Sequence, residues 1–211
     1  MNPTIIDNIA LNIDPRRILV RFGYGRNAIV PQSDLDLVND LLPQMLALTD
    51  PRIAIADFKI SNVTADYIEL DNGVKITSSM LAEILANAKF VSLYVATIGA
   101  GVETKSTRLS DMGKVKESLL WDCFGSEAAE TVARRVSVIV HQRAKAKGLT
   151  NTLRFSPGYM DLSLDFNKKI VDLVGGKKIG VSVNSAGLLI PRKSTTGIVG
   201  WVVPKKKTQF L

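Results

Sequence analysis

Arg52-Ile53-Ala54-Ile55-Ala56-Asp57-Phe58-Lys59-Ile60, followed by Tyr67-Ile68-Glu69-Leu70, Asp71-Asn72-Gly73 and Val74-Lys75-Ile76, is the stretch on which the fold turns. Residues 52 to 60 alternate with the two-residue period of a strand. The next two runs flank a turn of the Asn-Gly kind that closes a hairpin. Around this stretch strands and helices mix without a steady βαβ rhythm. That pattern predicts an α+β fold rather than a doubly wound sheet.

Working towards the N-terminus, Asp14-Pro15 reads as a cap and a first-turn proline, opening a helix that runs to about Phe22 and stops at Gly23-Tyr24-Gly25. A second helix starts at Ser33 or Asp34, with Leu35, Val38, Leu41 and Leu42 on one face, and Pro43 is expected to kink or restart it. Towards the C-terminus, Ser78 or Ser79 caps a helix carrying Met80, Leu81, Ile84 and Leu85, and Phe90 to Thr97 reads as a buried strand. A long helix is predicted from about Lys114 to Lys147, with Leu119, Leu120, Cys123, Ala128, Ala129, Val132 and Val136 at helical spacing and Gly125 as its weak point. After a loop containing Arg154 come a helix near Leu164 to Leu173 and strands at Ile179–Asn184, Gly187–Ile190 and Ile198–Val203. No repeat or linker appears, so the organisation expected is an N-terminal α+β lobe (1–90) of the same domain, a core (91–204) and a basic tail (205–211).

With 211 residues and 46% hydrophobic content, the chain can bury a real core. Net charge is +7, of which Lys205, Lys206 and Lys207 supply three. The tail reads either as a solvated basic end or as a weak attraction to an acidic protein partner. Nucleic acid is not the expected partner, because there is no aromatic-basic strand and no Cys/His finger. The longest uncharged apolar run, Phe90 to Val102, falls short of the roughly 20 residues that span a bilayer. Asp7 and Asp14 interrupt any signal-like pattern, and a single cysteine removes a disulfide framework. A cytoplasmic setting is expected. Cys123 with one histidine, His141, excludes a Cys/His zinc site within the chain.

Two blocks stand out as candidate sites. In Arg154-Phe155-Ser156-Pro157-Gly158-Tyr159, proline fixes one torsion and glycine frees the next, so Arg154 and Tyr159 are held in a set relation, with Asp161 two residues on. A guanidinium suits a carboxylate ligand, although it can equally tie down its own loop. Pro191-Arg192-Lys193-Ser194-Thr195-Thr196-Gly197 is basic and rich in small hydroxyl residues, where a ligand can approach closely or a plain turn can form. Elsewhere, Gly99-Ala100-Gly101 is half of a dinucleotide fingerprint or simply a tight turn. Cys123 reads as a buried thiol and His141 as a surface histidine, while Glu127 and Glu130 are either solvated or, for Glu130, turned into a cleft. No catalytic residue and no metal site is assigned.

Together the two blocks resemble the activation domain of cobalamin-dependent methionine synthase, and more closely its small standalone relatives. Gly180-Val181-Ser182 lies between the blocks as in that group, and Tyr94-Val95-Ala96-Thr97-Ile98-Gly99 and Gly125-Ser126-Glu127-Ala128-Ala129-Glu130 are also similar. The resemblance implies an α+β fold with a twisted, mainly antiparallel sheet and an S-adenosylmethionine site. It implies a role in the reductive remethylation of cobalamin carried by a partner. Arg154 would hold the donor's carboxylate and Tyr159 would meet the corrin ring, with Pro157, Gly158, Asp161, Ser194, Gly197 and Glu130 as further binding residues. Partners implied are a corrinoid protein or a methionine synthase lacking this domain, with an acidic electron donor such as flavodoxin or ferredoxin. In the full-length enzyme an aromatic pair follows the second block where Val199 and Gly200 stand here, and an N-terminal acidic residue holds the donor's amino group, for which Asp57 is the candidate. Those departures keep open a docking module that no longer binds the donor.

Overall fold

Strand pairing, not helix packing, organises the chain. The structure is a computed structural model that describes residues 2–204, so the lysine tail lies outside the described residues. The elements, in order, are β1 (Thr4–Ile6), α1 (Pro15–Phe22), α2 (Gln32–Ala47), β2 (Arg52–Val63), β3 (Tyr67–Leu70), β4 (Lys75–Thr77) and α3 (Ser79–Ile84). They continue as β5 (Ala88–Thr97), α4 (Gly101–Asp111), α5 (Val115–Lys145), β6 (Thr150–Phe155), α6 (Phe166–Val174), β7 (Ser182–Val183), β8 (Leu189–Ile190) and β9 (Ser194–Val202).

Seven strands form one sheet in the order β4-β3-β2-β5-β9-β6, with β1 also on β2, and all pairs are antiparallel. β2 is long enough to take β1 along its first half, at Ile53 to Ile55, and β3 along its second, at Ile60 to Val63. The predicted α+β fold with a mainly antiparallel sheet and flanking helices is the one observed. Residue 90, the expected edge of an N-terminal lobe, lies inside β5, whose neighbours β2 and β9 come from either side of it in sequence.

The sheet is covered on both faces. On one, Ile53, Ile55, Tyr94, Val199 and Trp201 pack with Trp121, Phe124 and Val132 of α5 and with Ile18 and Leu19 of α1. On the other, Ala54, Ala56, Leu93, Val95 and Ile198 pack with Ile170 and Val174 of α6 and Leu81 of α3. Over 53 to 56 the alternation is therefore large against small, isoleucine towards α5 and alanine towards α6, rather than buried against exposed. Each fully buried Leu, Ile or Val contributes about 1.5–3 kcal/mol, so covering these strands dominates the stability of the fold.

Several expectations are corrected. Arg154 and Phe155 end strand β6, and the loop begins only at Ser156. Ser194 to Gly197 open β9 rather than forming a turn. Proline cannot donate to a helix ladder, yet α2 runs unbroken through Pro43, whose ring is exposed while Val38 and Met45 are buried. α5 likewise continues through Gly125, where Val102 and the stem of Lys193 fill the space a side chain would take. The strand expected at 179–184 shrinks to the two-residue β7 after a 3-10 turn at Gly176–Ile179. Helix α4, which follows the Gly99-Ala100-Gly101 turn, is not among the elements the sequence predicts.

Gly200 shows how close the packing is: a Cβ there would overlap Leu85 Cδ2. Replacing Gly200 with Ala is expected to destabilise the protein by about 1–3 kcal/mol through overpacking. In urea unfolding, Leu85→Ala combined with Gly200→Ala should cost clearly less than the two single losses added together.

Candidate functional site

A cavity of about 600 Å³ opens where β5, β9 and β6 approach α5 and α6. Its floor is Tyr94 with Thr195 and Thr196 of β9, its wall is Arg154 with Glu130 of α5, and its rim is Leu153, Tyr159 and Met160. The rim is apolar yet open: Leu153 is 82% exposed and Tyr159 72%.

Arg154 reaches the cavity because β6 pairs with β9 through Arg154 opposite Val199, which directs its side chain to the α5 face. There its Nη2 donates to Glu130 Oε1 at 2.6 Å. Its Nη1 is buried and has no hydrogen-bond partner in the protein. A buried donor left unpaired costs about 1–3 kcal/mol, more when charged, so this nitrogen favours any ligand that brings an acceptor to it. Below it, Tyr94 is 1% exposed, and burial pushes its phenol up, so the ring stays neutral at the cavity floor. The threonine layer is fixed by hydrogen bonds: Ser156 Oγ donates to the Thr196 carbonyl at 2.8 Å, and Thr196 Oγ1 donates to Asn167 Oδ1 at 2.5 Å. Asn167 Nδ2 in turn donates to the Gly187 carbonyl at 2.8 Å.

Of the residues predicted for the site, Arg154, Glu130, Pro157, Tyr159 and Ser194 line the cavity. Gly158, Asp161 and Gly197 do not, and each has another task. A Cβ on Gly197 would lie 2.6 Å from Tyr94 Cε1 and 2.7 Å from its hydroxyl, so the glycine makes room for the tyrosine rather than for a ligand. Gly158 takes a positive φ of 86° in the turn that carries Tyr159, a conformation that costs other residues dearly. Asp161 accepts from Ser78 Oγ, from the Ser79 backbone N–H at 2.7 Å, from Ser79 Oγ at 2.8 Å and from the Met80 N–H at 3.3 Å. It thereby fastens the rim loop to the start of α3. Hydrogen bonding from Ser78, which outweighs the opposing effect of desolvation, holds its carboxyl down at about 2.

Val199 is fully buried and Gly200 is closed over by Leu85, so both are sheet-interior positions that do not line the cavity. Trp201 is buried beside Phe90, with its Nε1 donating to Ser92 Oγ at 2.9 Å. Ser92 Oγ donates to Asp57 Oδ1 at 2.6 Å, and Arg143 donates to the other Asp57 oxygen at 2.9 Å, which commits Asp57 to a network away from the cavity. Lys193 turns from its block to Asp122 at 2.8 Å and Ser126 at 2.9 Å on α5. Gly101 opens α4 tightly against the Leu48 carbonyl, so the Gly-Ala-Gly turn serves helix packing. Burial pushes the Cys123 thiol up, and exposed His141 meets Asn151 through Nδ1 at 2.9 Å. Sequence reasoning missed Asn167, and it held Thr195 only as part of the second block and Tyr94 only as part of a stretch of resemblance. Asn167 carries no signal, being a helix asparagine that only the tertiary fold brings under β9.

These features define an α+β domain with an open cavity at the edge of its sheet, built on one arginine–glutamate pair and a layer of hydroxyls. Among the described residues no cluster of three or more His, Cys, Asp or Glu is arranged to hold a metal ion. The same fold is seen in the crystal structure of the MetH reactivation domain bound to AdoHcy, with a TM-score of 0.69 and 12% identity. The match covers 98% of this chain and 80% of that one. No protein-family model and no curated protein matches the chain.

Asp161 also gives a pH signature. Its folded carboxyl titrates at about 2 against an ordinary 3.8, so the unfolded chain takes up the proton first as pH falls. The stability its charge supplies is therefore complete above about pH 4 and is lost between about 4 and 2. Asp161→Asn should be less stable than wild type in urea at pH 6, and the gap should narrow as pH is lowered through this window.

Proposed function

We propose that this chain binds S-adenosylmethionine in the Arg154 cavity and supports the reductive remethylation of a corrinoid on a separate protein. The observation that carries this reading is the buried, unpartnered Nη1 of Arg154 beside the carboxylate of Glu130. A guanidinium with a free donor next to a carboxylate complements the two charges of an amino-acid zwitterion: Arg154 receives the carboxylate and Glu130 the ammonium. The shared fold with a domain whose crystal structure holds AdoHcy supports the same class of ligand.

The residues suit positioning rather than acid–base work. Arg154 and Glu130 fix the amino-acid end, the Thr195–Thr196 layer offers hydroxyl and carbonyl groups, and neutral Tyr94 closes the floor without adding charge. Bound there, the donor supplies a methyl group already activated by its sulfonium, so no general acid or base is required of the protein. Tyr159, Leu153 and Met160, exposed around the mouth, offer an apolar collar to a partner that presents a flat cofactor face. Partners in this reading are a corrinoid protein or a methionine synthase without such a domain, and an acidic electron donor. No helix among the described residues is long and apolar enough to cross a membrane.

A docking module without the donor is the alternative. Its motive was Val199 and Gly200, and these lie in the sheet interior rather than at the cavity. Calorimetry separates the two. Wild type should bind S-adenosylmethionine, Arg154→Ala should weaken binding by roughly 10–100-fold through loss of a charge-assisted contact, and Tyr159→Ala should leave donor affinity nearly unchanged. Absence of any heat with wild-type protein, alongside capture of a corrinoid protein, would establish the docking module instead.

A further inference from the structure

A second concavity, of about 690 Å³, lies between α1 and α5 and is lined by Arg16, Arg17, Arg21, Arg26 and Arg134, with Glu127 and Asp14 as its only acidic groups. We propose that it is a binding site for a small multivalent oxyanion of the phosphate class, distinct from the Arg154 cavity.

The charge arrangement is hard to explain by stability alone. Glu127 is buried, and three guanidinia converge on it: Arg17 at 3.2 Å and Arg134 at 2.7 Å on Oε1, Arg21 at 2.9 Å on Oε2. Burial alone would raise its carboxyl, and the hydrogen bonds from Arg134, Arg21 and Arg17 reverse that, so it is held below the usual range as a fixed anion. One carboxylate thus organises three cations and leaves them with excess positive charge. Arg16 and Arg26 add two more and form no ion pair among the described residues. Asp14 caps α1 by accepting from the Arg16 N–H at 2.9 Å, and the lining still sets five guanidinia against two carboxylates.

The helix reinforces the imbalance. The first turn of α1 holds Arg16 and Arg17 and no acidic residue, whereas the positive end of a helix dipole favours anions and disfavours cations. Such a placement adds to the positive potential of the concavity, which the Asp14 carboxylate at the cap offsets only in part. Arginine is the right donor for that task, since its planar fork matches the oxygens of a phosphate. Arg17 and Arg21 each give Glu127 one hydrogen bond and keep further N–H groups for a ligand. Because the surface is concave, with arginines on both α1 and α5, it fits a compact ligand better than the acidic face of a protein.

The test uses inorganic pyrophosphate with the full chain, by calorimetry and thermal melting, in buffers balanced with sodium chloride to constant ionic strength. Saturable heat and a raised melting temperature are expected. The double variant Arg16→Gln/Arg26→Gln touches no ion pair among the described residues, so it should keep the ligand-free melting temperature and weaken pyrophosphate by about tenfold or more. The proposal is overturned if chloride at equal ionic strength reproduces the shift, or if the double variant binds as tightly as wild type. It is equally overturned if polyglutamate binds while pyrophosphate does not, which would assign the surface to an acidic protein. S-adenosylmethionine plays no part in these readouts, so their outcome is independent of the donor cavity.

Discussion

Everything in this molecule is arranged around the need to cover both faces of β2, β5 and β9. Strands buried on two sides have no water to meet their backbone groups, so their ladder must be complete. Antiparallel pairing supplies it along nearly the whole length of β5. The helices then follow: α5 and α1 close one face, α6 and α3 the other. Where cover is thickest the chain uses glycine, at Gly197 beneath Tyr94 and at Gly200 beneath Leu85, because no side chain fits. The Arg154 cavity sits where this cover ends, at the junction of the edge strand β6 with β9.

This explains what the sequence disclosed and what it withheld. Features set by local chemistry were legible. The Asn-Gly hairpin is there, with Tyr67 opposite Thr77, and the caps at Asp14 and Ser78 are formed. So is α5, whose apolar period continues through Gly125. Features set by partners distant in sequence were not. Arg154 beside a Pro-Gly turn looks like a loop residue, and only its pairing with Val199 makes it a strand residue. Ser194 to Gly197 look like a turn for the same reason, small polar residues that tolerate burial because Thr97, Asn167 and Tyr94 receive them. Asp161 seemed part of the binding block, yet its acceptor capacity goes to α3, eighty-odd residues earlier in the chain. Within the site itself, the arginine, the glutamate and the threonines were readable as residue types, whereas Asn167 and the hydrogen bonds that fix the threonine layer needed the fold.

A chain of charges joins the two concavities. Arg154 pairs with Glu130, Arg134 lies 3.8 Å from that same glutamate oxygen and 2.7 Å from Glu127, and Glu127 gathers Arg17 and Arg21. All three links on α5 share one helical face at spacings of three to four residues, which is how one helix can serve both surfaces. The part-exposed pair between Arg134 and Glu130 carries little energy by itself. The value of the chain lies in orientation: Arg154, Arg17 and Arg21 are each held by one hydrogen bond to a carboxylate, and Arg134 bridges Glu127 and Glu130.

The fastening of Asp161 to α3 also sets the tempo of the rim. A free surface loop reorients on nanosecond to microsecond timescales. The loop carrying Tyr159 and Met160 is instead closed at one end by β6 and at the other by a carboxylate locked onto the first turn of a helix under the opposite face of the sheet. Large excursions of Tyr159 therefore require these hydrogen bonds to open, which holds the rim closer to one arrangement than a loop tethered only by its ends.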